Sequence, residues 1–169
     1  QVETDVPVEG TETFETDLST EPVKITVKPL PEKNKPGVFN GAVGHFTITG
    51  SLLKKQLAKN EEGFLEITIE GKGNFIQLSP PVVQWPGGVE GFDPGIKDIP
   101  VRSASPKTGK RVFRYPFVCA VAGTFQIPAI HFSFFNIDSN NYKTISTGTF
   151  QFSVSNEEKR SIAVAEKKE

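Results

Sequence analysis

Apolar and polar residues alternate one by one through long stretches of this chain, and a two-residue period restricts such stretches to β-strands with one buried face. Val23, Ile25 and Val27 share one side and Lys24, Thr26 and Lys28 the other, until Pro29 ends the run. Phe46 and Ile48 alternate with His45, Thr47 and Thr49, and Leu65, Ile67 and Ile69 with Glu66, Thr68 and Glu70. Gly71 to Asn74 reads as a turn into a strand over Phe75 to Leu78, consistent with a hairpin. A further short strand ends at Trp85, before an irregular crossing that reaches Asp98, and residues 103 to 110 form a second loop. Two long strands, Arg111 to Val121 and Phe125 to Phe135, flank a tight corner at Ala122 to Thr124. After a turn over Asn136 to Asn141, a last strand runs to about Val154 with Phe150, Phe152 and Val154 facing inward. Lys54 to Glu62 is the one segment expected to form a helical turn.

Seven or eight short strands with turn signals between them predict an all-β fold, an immunoglobulin-like antiparallel β-sandwich. Its core is built from phenylalanine, which supplies 14 of the aromatic residues, each worth roughly 1.5–3 kcal/mol when fully buried. Phe46, Ile67, Phe117, Phe132 and Phe152 are expected to meet there. Phe125, in the corner Gly123, Thr124, Phe125, stands where such domains often carry a tyrosine, but it lacks the hydroxyl and offers packing alone. Cys119 has no second cysteine with which to form an intrachain disulfide.

With 169 residues, 36% apolar and 23% charged, the chain has room for one ordinary domain. Its net charge of −1 is unevenly placed: residues 1–22 hold seven acidic residues and no Lys or Arg, so that segment is −7 and the remainder +6. The acidic stretch lacks apolar periodicity and reads as a flexible linker in preference to an acidic docking tail. The expected organisation is a linker over 1–22, the sandwich over 23–155 and a charged tail or linker over 156–169. A scattered surplus of six positive charges does not point to nucleic acid. The chain starts at Gln1 without an initiator Met and has no apolar run of about 18 residues able to cross a bilayer, so it is expected to be a piece of a larger protein.

No catalytic residue stands out. Cys119 and His131 lie on neighbouring expected strands, but period-two parity puts Cys119 on the apolar face with Phe113, Tyr115, Phe117 and Val121, and His131 on the opposite face with Ala129 and Ser133. Cys119 is then a small buried hydrophobe. Two histidines on different strands do not make a zinc site. Asp138 to Asn141 offers oxygen ligands, yet no Glu follows at calcium-loop spacing, and an Asn-rich hairpin turn explains the run. Gly71, Gly73 and the Gly109–Lys110 pair complete no phosphate loop and read as turn residues. No metal or other cofactor is expected. Trp85, Phe92 and Asp93 form the candidate surface: an aromatic platform for a sugar ring, or a cap over the core that meets a neighbouring domain.

GVFNGAVGHF at residues 37 to 46 resembles the most characteristic stretch of the BatD family, oxygen tolerance proteins found in Bacteroidetes and spirochaetes among others. In it Phe39, Asn40, Gly41, Ala42, Val43, Gly44 and Phe46 form the family motif, with a structural role. VKPLPEKNKP, IEGKGNFIQLSPP, GFDP, GKRVFRYPF, GTFQIPAIHFSFF and YKTISTGTFQFSV follow in the family's order, so the resemblance covers about residues 25 to 155. Trp85 and Pro86 stand where an aromatic, usually Phe, precedes the proline; Gly91 replaces a larger residue and Phe92 a tyrosine. The resemblance implies a non-catalytic, periplasmic or otherwise extracytoplasmic domain of a membrane-anchored protein, its anchor lying elsewhere in the polypeptide. It also implies protein partners, von Willebrand A domain membrane proteins and neighbouring domains among them, in a genetic setting that includes a MoxR-type ATPase. A carbohydrate or peptidoglycan binding module using Trp85 and Phe92 is the alternative. Gly41 and Gly44 are expected to take backbone conformations or close approaches that a Cβ would disturb.

Overall fold

The computed structural model describes Asp17, residues 19–101 and residues 108–158. The expected acidic linker up to residue 22, the loop at 103–110 and the charged tail beyond 155 fall largely outside the described residues. The chain divides into two units between Leu30 and Pro31. In the first, the described residues form no regular secondary structure, so the strand expected over 23–27 is not formed. Val23, Ile25 and Val27 are 84%, 80% and 86% exposed. An alternating segment becomes a strand only where a partner pairs its backbone and covers its apolar face, and no described strand pairs with this one.

Among its described residues the second unit contains ten strands, more than the seven or eight expected: β1 (Gly44–Leu52), β2 (Gln56–Lys59), β3 (Gly63–Gly73), β4 (Val89–Gly91), β5 (Gly95–Val101), β6 (Thr108–Cys119), β7 (Gly123–Ile127), β8 (His131–Asn136), β9 (Asn141–Ser146) and β10 (Phe150–Glu158). One sheet runs β1-β3-β6, with β4 and β5 both pairing β6; β2-β10-β7 and β8-β9 form the opposing strands. All these pairs are antiparallel except β2 with β10.

The higher count has a local cause. Gly91 pairs with Phe117 and Gly95 with Arg114, four steps on one strand against three on the other, so β4 and β5 are one edge line broken by a bulge at Phe92–Pro94. Pro94, lacking an N–H, cannot continue the ladder. β7 and β8 are likewise halves of the long strand expected from Phe125 to Phe135, and β9 and β10 halves of the expected last strand. Ile127 pairs with Phe150 and His131 with Ser146, four steps on each side, so register is kept across the break at Pro128. Thr147 holds the break: its N–H donates to the Ile130 carbonyl and its Oγ1 accepts the Ile130 N–H, each at 3.0 Å.

Two other expectations are corrected. Lys54 to Glu62 forms β2 and a turn through left-handed Asn60 (φ 58°), because burying Leu57 against the ladder of β10 satisfies the backbone as well as the side chain. Phe75 to Leu78 is no strand: a 3₁₀ turn over Phe75–Gln77 tucks Phe75 into the core. The strand expected to end at Trp85 is likewise absent, residues 78–86 being irregular. Gly71, Gly73 and Gly109 lie within strands, where neighbouring atoms leave no room for a Cβ.

The core lies between the layers. Phe46, Ile67, Phe117, Phe132 and Phe152 all belong to it, as the alternation requires. Phe46 meets Phe132 and Phe134 edge-on at 5.8 and 5.5 Å, Phe117 meets Phe152 at 5.0 Å, and Phe125 stacks on Phe152 at 5.5 Å. Val121 departs from the expected face: β6 ends at Cys119, and Val121 is 54% exposed.

Candidate interaction surface

Residues 37–46 stitch β1 to the opposite layer. Gly41 has φ +81°, a left-handed conformation costly for a residue with a Cβ. Gly44 has φ +142°, and a Cβ there would run into the Lys72 carbonyl. Between them Ala42 is buried, its carbonyl accepting the Phe135 N–H at 2.8 Å, and Val43 bridges Phe135 in parallel. Phe39 packs edge-on against Tyr142 at 4.9 Å and Phe46 enters the core, while Asn40 is exposed. Asn74 secures the segment: its Oδ1 accepts the Val43 N–H and its Nδ2 donates to the Gly41 carbonyl, both at 2.8 Å. Sequence reasoning placed Asn74 in a turn and missed this clamp. No local signal marks it, since the partners lie more than thirty residues away.

The bulge that splits the β6 edge also shapes the candidate surface. The Phe92 N–H still donates to Pro116 at 2.9 Å, after which Asp93 and Pro94 leave the ladder. Phe92, 47% exposed, Asp93, and Val82, 75% exposed, border a groove with Pro80, Pro81, Val83, Trp85 and Tyr115. Trp85 packs on Phe117 with ring centroids 5.2 Å apart, and Gly91 lies so close to the indole that a Cβ would overlap it. Phe92 rather than Trp85 is therefore the aromatic presented to solvent. Below the groove Tyr115 donates its hydroxyl to the Pro81 carbonyl at 2.6 Å, and burial pushes its pKa up, so the phenol stays protonated.

The sharpest catalytic pairing is not assembled. Cys119 ends β6, buried, with its thiol on the Val121 carbonyl at 3.2 Å, while His131 begins β8 in the opposite layer and is exposed. His45 Nε2 lies 2.7 Å from Asp138, and its Nδ1 lies 3.2 Å from Asn136 Nδ2, in the hairpin turn that joins β8 to β9. Among the described residues no three His, Cys, Asp or Glu side chains converge as metal ligands, and no helix is long and apolar enough to cross a membrane. A second cleft, of about 490 Å³, separates Val38 and Asn40 from Val82, Gln84 and the edge of β8 at His131 and Ser133.

Residues 51–154 match the family model described as the BatD DUF11 like domain. No curated protein matches the chain.

Proposed function

The chain belongs to the BatD family, and on that premise we propose that it is a non-catalytic interaction domain of a membrane-anchored, extracytoplasmic protein, docking a von Willebrand A domain partner. The observation that carries this reading is the Phe92–Asp93 bulge. An edge strand breaks register to hold an aromatic ring and a carboxylate outward beside exposed Val82, over a rigid floor of Trp85 and Tyr115. Exposed apolar side chains fixed on a stiff support match the anatomy of protein contacts. The partner class comes from the family's setting.

The test is direct binding of the purified chain to a von Willebrand A domain membrane protein of the kind usual in the family's genetic setting. Each apolar residue buried at a contact is worth roughly 1.5–3 kcal/mol, so Val82→Asp with Phe92→Asp is expected to weaken binding at least about tenfold without changing thermal stability. Absence of binding, or binding that both substitutions leave untouched, would overturn the proposal.

A further inference from the structure

Residues 19–28 read STEPVKITVK, and residues 146–155, from the end of β9 through most of β10, read STGTFQFSVS. Laid on one another, Ser19 and Ser146, Thr20 and Thr147, and Val27 and Val154 are identical. Val23 and Ile25 take the places of Phe150 and Phe152, and Lys24, Thr26 and Lys28 those of Gln151, Ser153 and Ser155. Apolar and polar positions agree throughout the strand portion.

The likeness goes beyond alternation, which any half-buried strand shows. Thr147 is the residue whose backbone and hydroxyl both engage Ile130 at the break between β9 and β10, and Thr20 stands at the same distance ahead of its own alternating run. Pro22 falls at the position of Thr149, which lies between the two strands and outside the ladder, so a missing N–H is tolerated there. In this chain β10 is sandwiched between β2 and β7, with Phe152 and Val154 buried. The corresponding face of residues 19–28 is bare, Ile25 being 80% and Val27 86% exposed.

We propose that residues 19–28 are the closing strand of a second sandwich of this same kind, whose other strands are encoded earlier in the parent polypeptide, and that they seat there between its counterparts of β2 and β7. A second copy of this chain does not offer such a slot, because its own β10 occupies it. This reading stands independently of the proposed partner. It also removes the anomaly of three exposed apolar residues in strict alternation: their sheet belongs to the other domain.

The test compares amide hydrogen exchange over residues 23–27 in the present chain and in the parent polypeptide extended upstream by one domain length, about 100–150 residues. These amides are expected to exchange at unstructured rates in the present chain and to slow by roughly a hundredfold or more in the extended one, as strand amides do. In the extended polypeptide, Ile25→Lys, on the inward face, is expected to lower or abolish the upstream unfolding transition while that of residues 31–158 stays in place. Thr26→Lys, on the outward face, is expected to leave both transitions unchanged. Equally fast exchange in both polypeptides, slow exchange already in the present chain, or indistinguishable effects of the two substitutions would overturn the proposal.

Discussion

Tyr115 shows how one side chain ties the irregular segment 78–86 to the sheet. Its hydroxyl satisfies the Pro81 carbonyl, and Tyr115→Phe is expected to cost about 1–3 kcal/mol by leaving that buried acceptor unpaired, read as a lowered midpoint in urea. The same group sets an alkaline dependence. Its folded pKa is raised, so both states hold the proton below the ordinary tyrosine value of about 10. Above that value the unfolded chain loses its proton while the folded one keeps it. The unfolded state then binds fewer protons, and stability falls as pH rises. The decline above about pH 10 is expected to be steeper in the native chain than in Tyr115→Phe; parallel curves would assign it to other groups. Asn74 makes the complementary point: a residue that reads as a turn former on local grounds clamps a segment thirty residues earlier.

The breaks within the strands carry more information than the strands themselves. Alternation made the apolar faces legible, and the buried Phe113, Tyr115, Phe117 and Cys119 of β6 follow it. It could not show that β7–β8 and β9–β10 form one bent hairpin in constant register, since that depends on Thr147 meeting Ile130 across the break. Thr147→Val removes the acceptor for the Ile130 N–H and is expected to cost about 0.5–1.5 kcal/mol. Ile130 should exchange its amide faster while Phe125 and Phe132 keep their protection. Loss of protection along the whole hairpin would mean that the break does not act locally. On the other sheet, Gly91 is small because the Trp85 ring occupies the space beside it. The bulge that follows turns an edge strand into the candidate surface.

At the scale of the molecule, Phe152 joins the layers, touching Phe117 on one side and Phe125 on the other. Phe152→Ala is expected to cost about 3–5 kcal/mol, a large fraction of the roughly 5–15 kcal/mol typical of a domain. Chemical denaturation followed by fluorescence and by circular dichroism should give coincident transitions at a lower midpoint. A cost below about 1 kcal/mol would contradict a shared core. The sequence by itself determined the all-β class, the Phe-built core and, in the 37–46 motif, Gly41 and Gly44 as positions whose backbone a Cβ would disturb, because side-chain parity and backbone freedom are properties of neighbours along the chain. Which alternating segments become strands was decided only in three dimensions. Leu57 found β10 and made a strand of a segment that reads as helical, Phe75 turned into the core and ended one, and Val23 to Val27 met no sheet among the described residues. The candidate surface also depended on tertiary structure, for Trp85 and Phe92 read alike until packing on Phe117 took one ring and a bulge exposed the other. Burial and pairing are long-range events, and a period of two specifies a face without naming the partner that covers it.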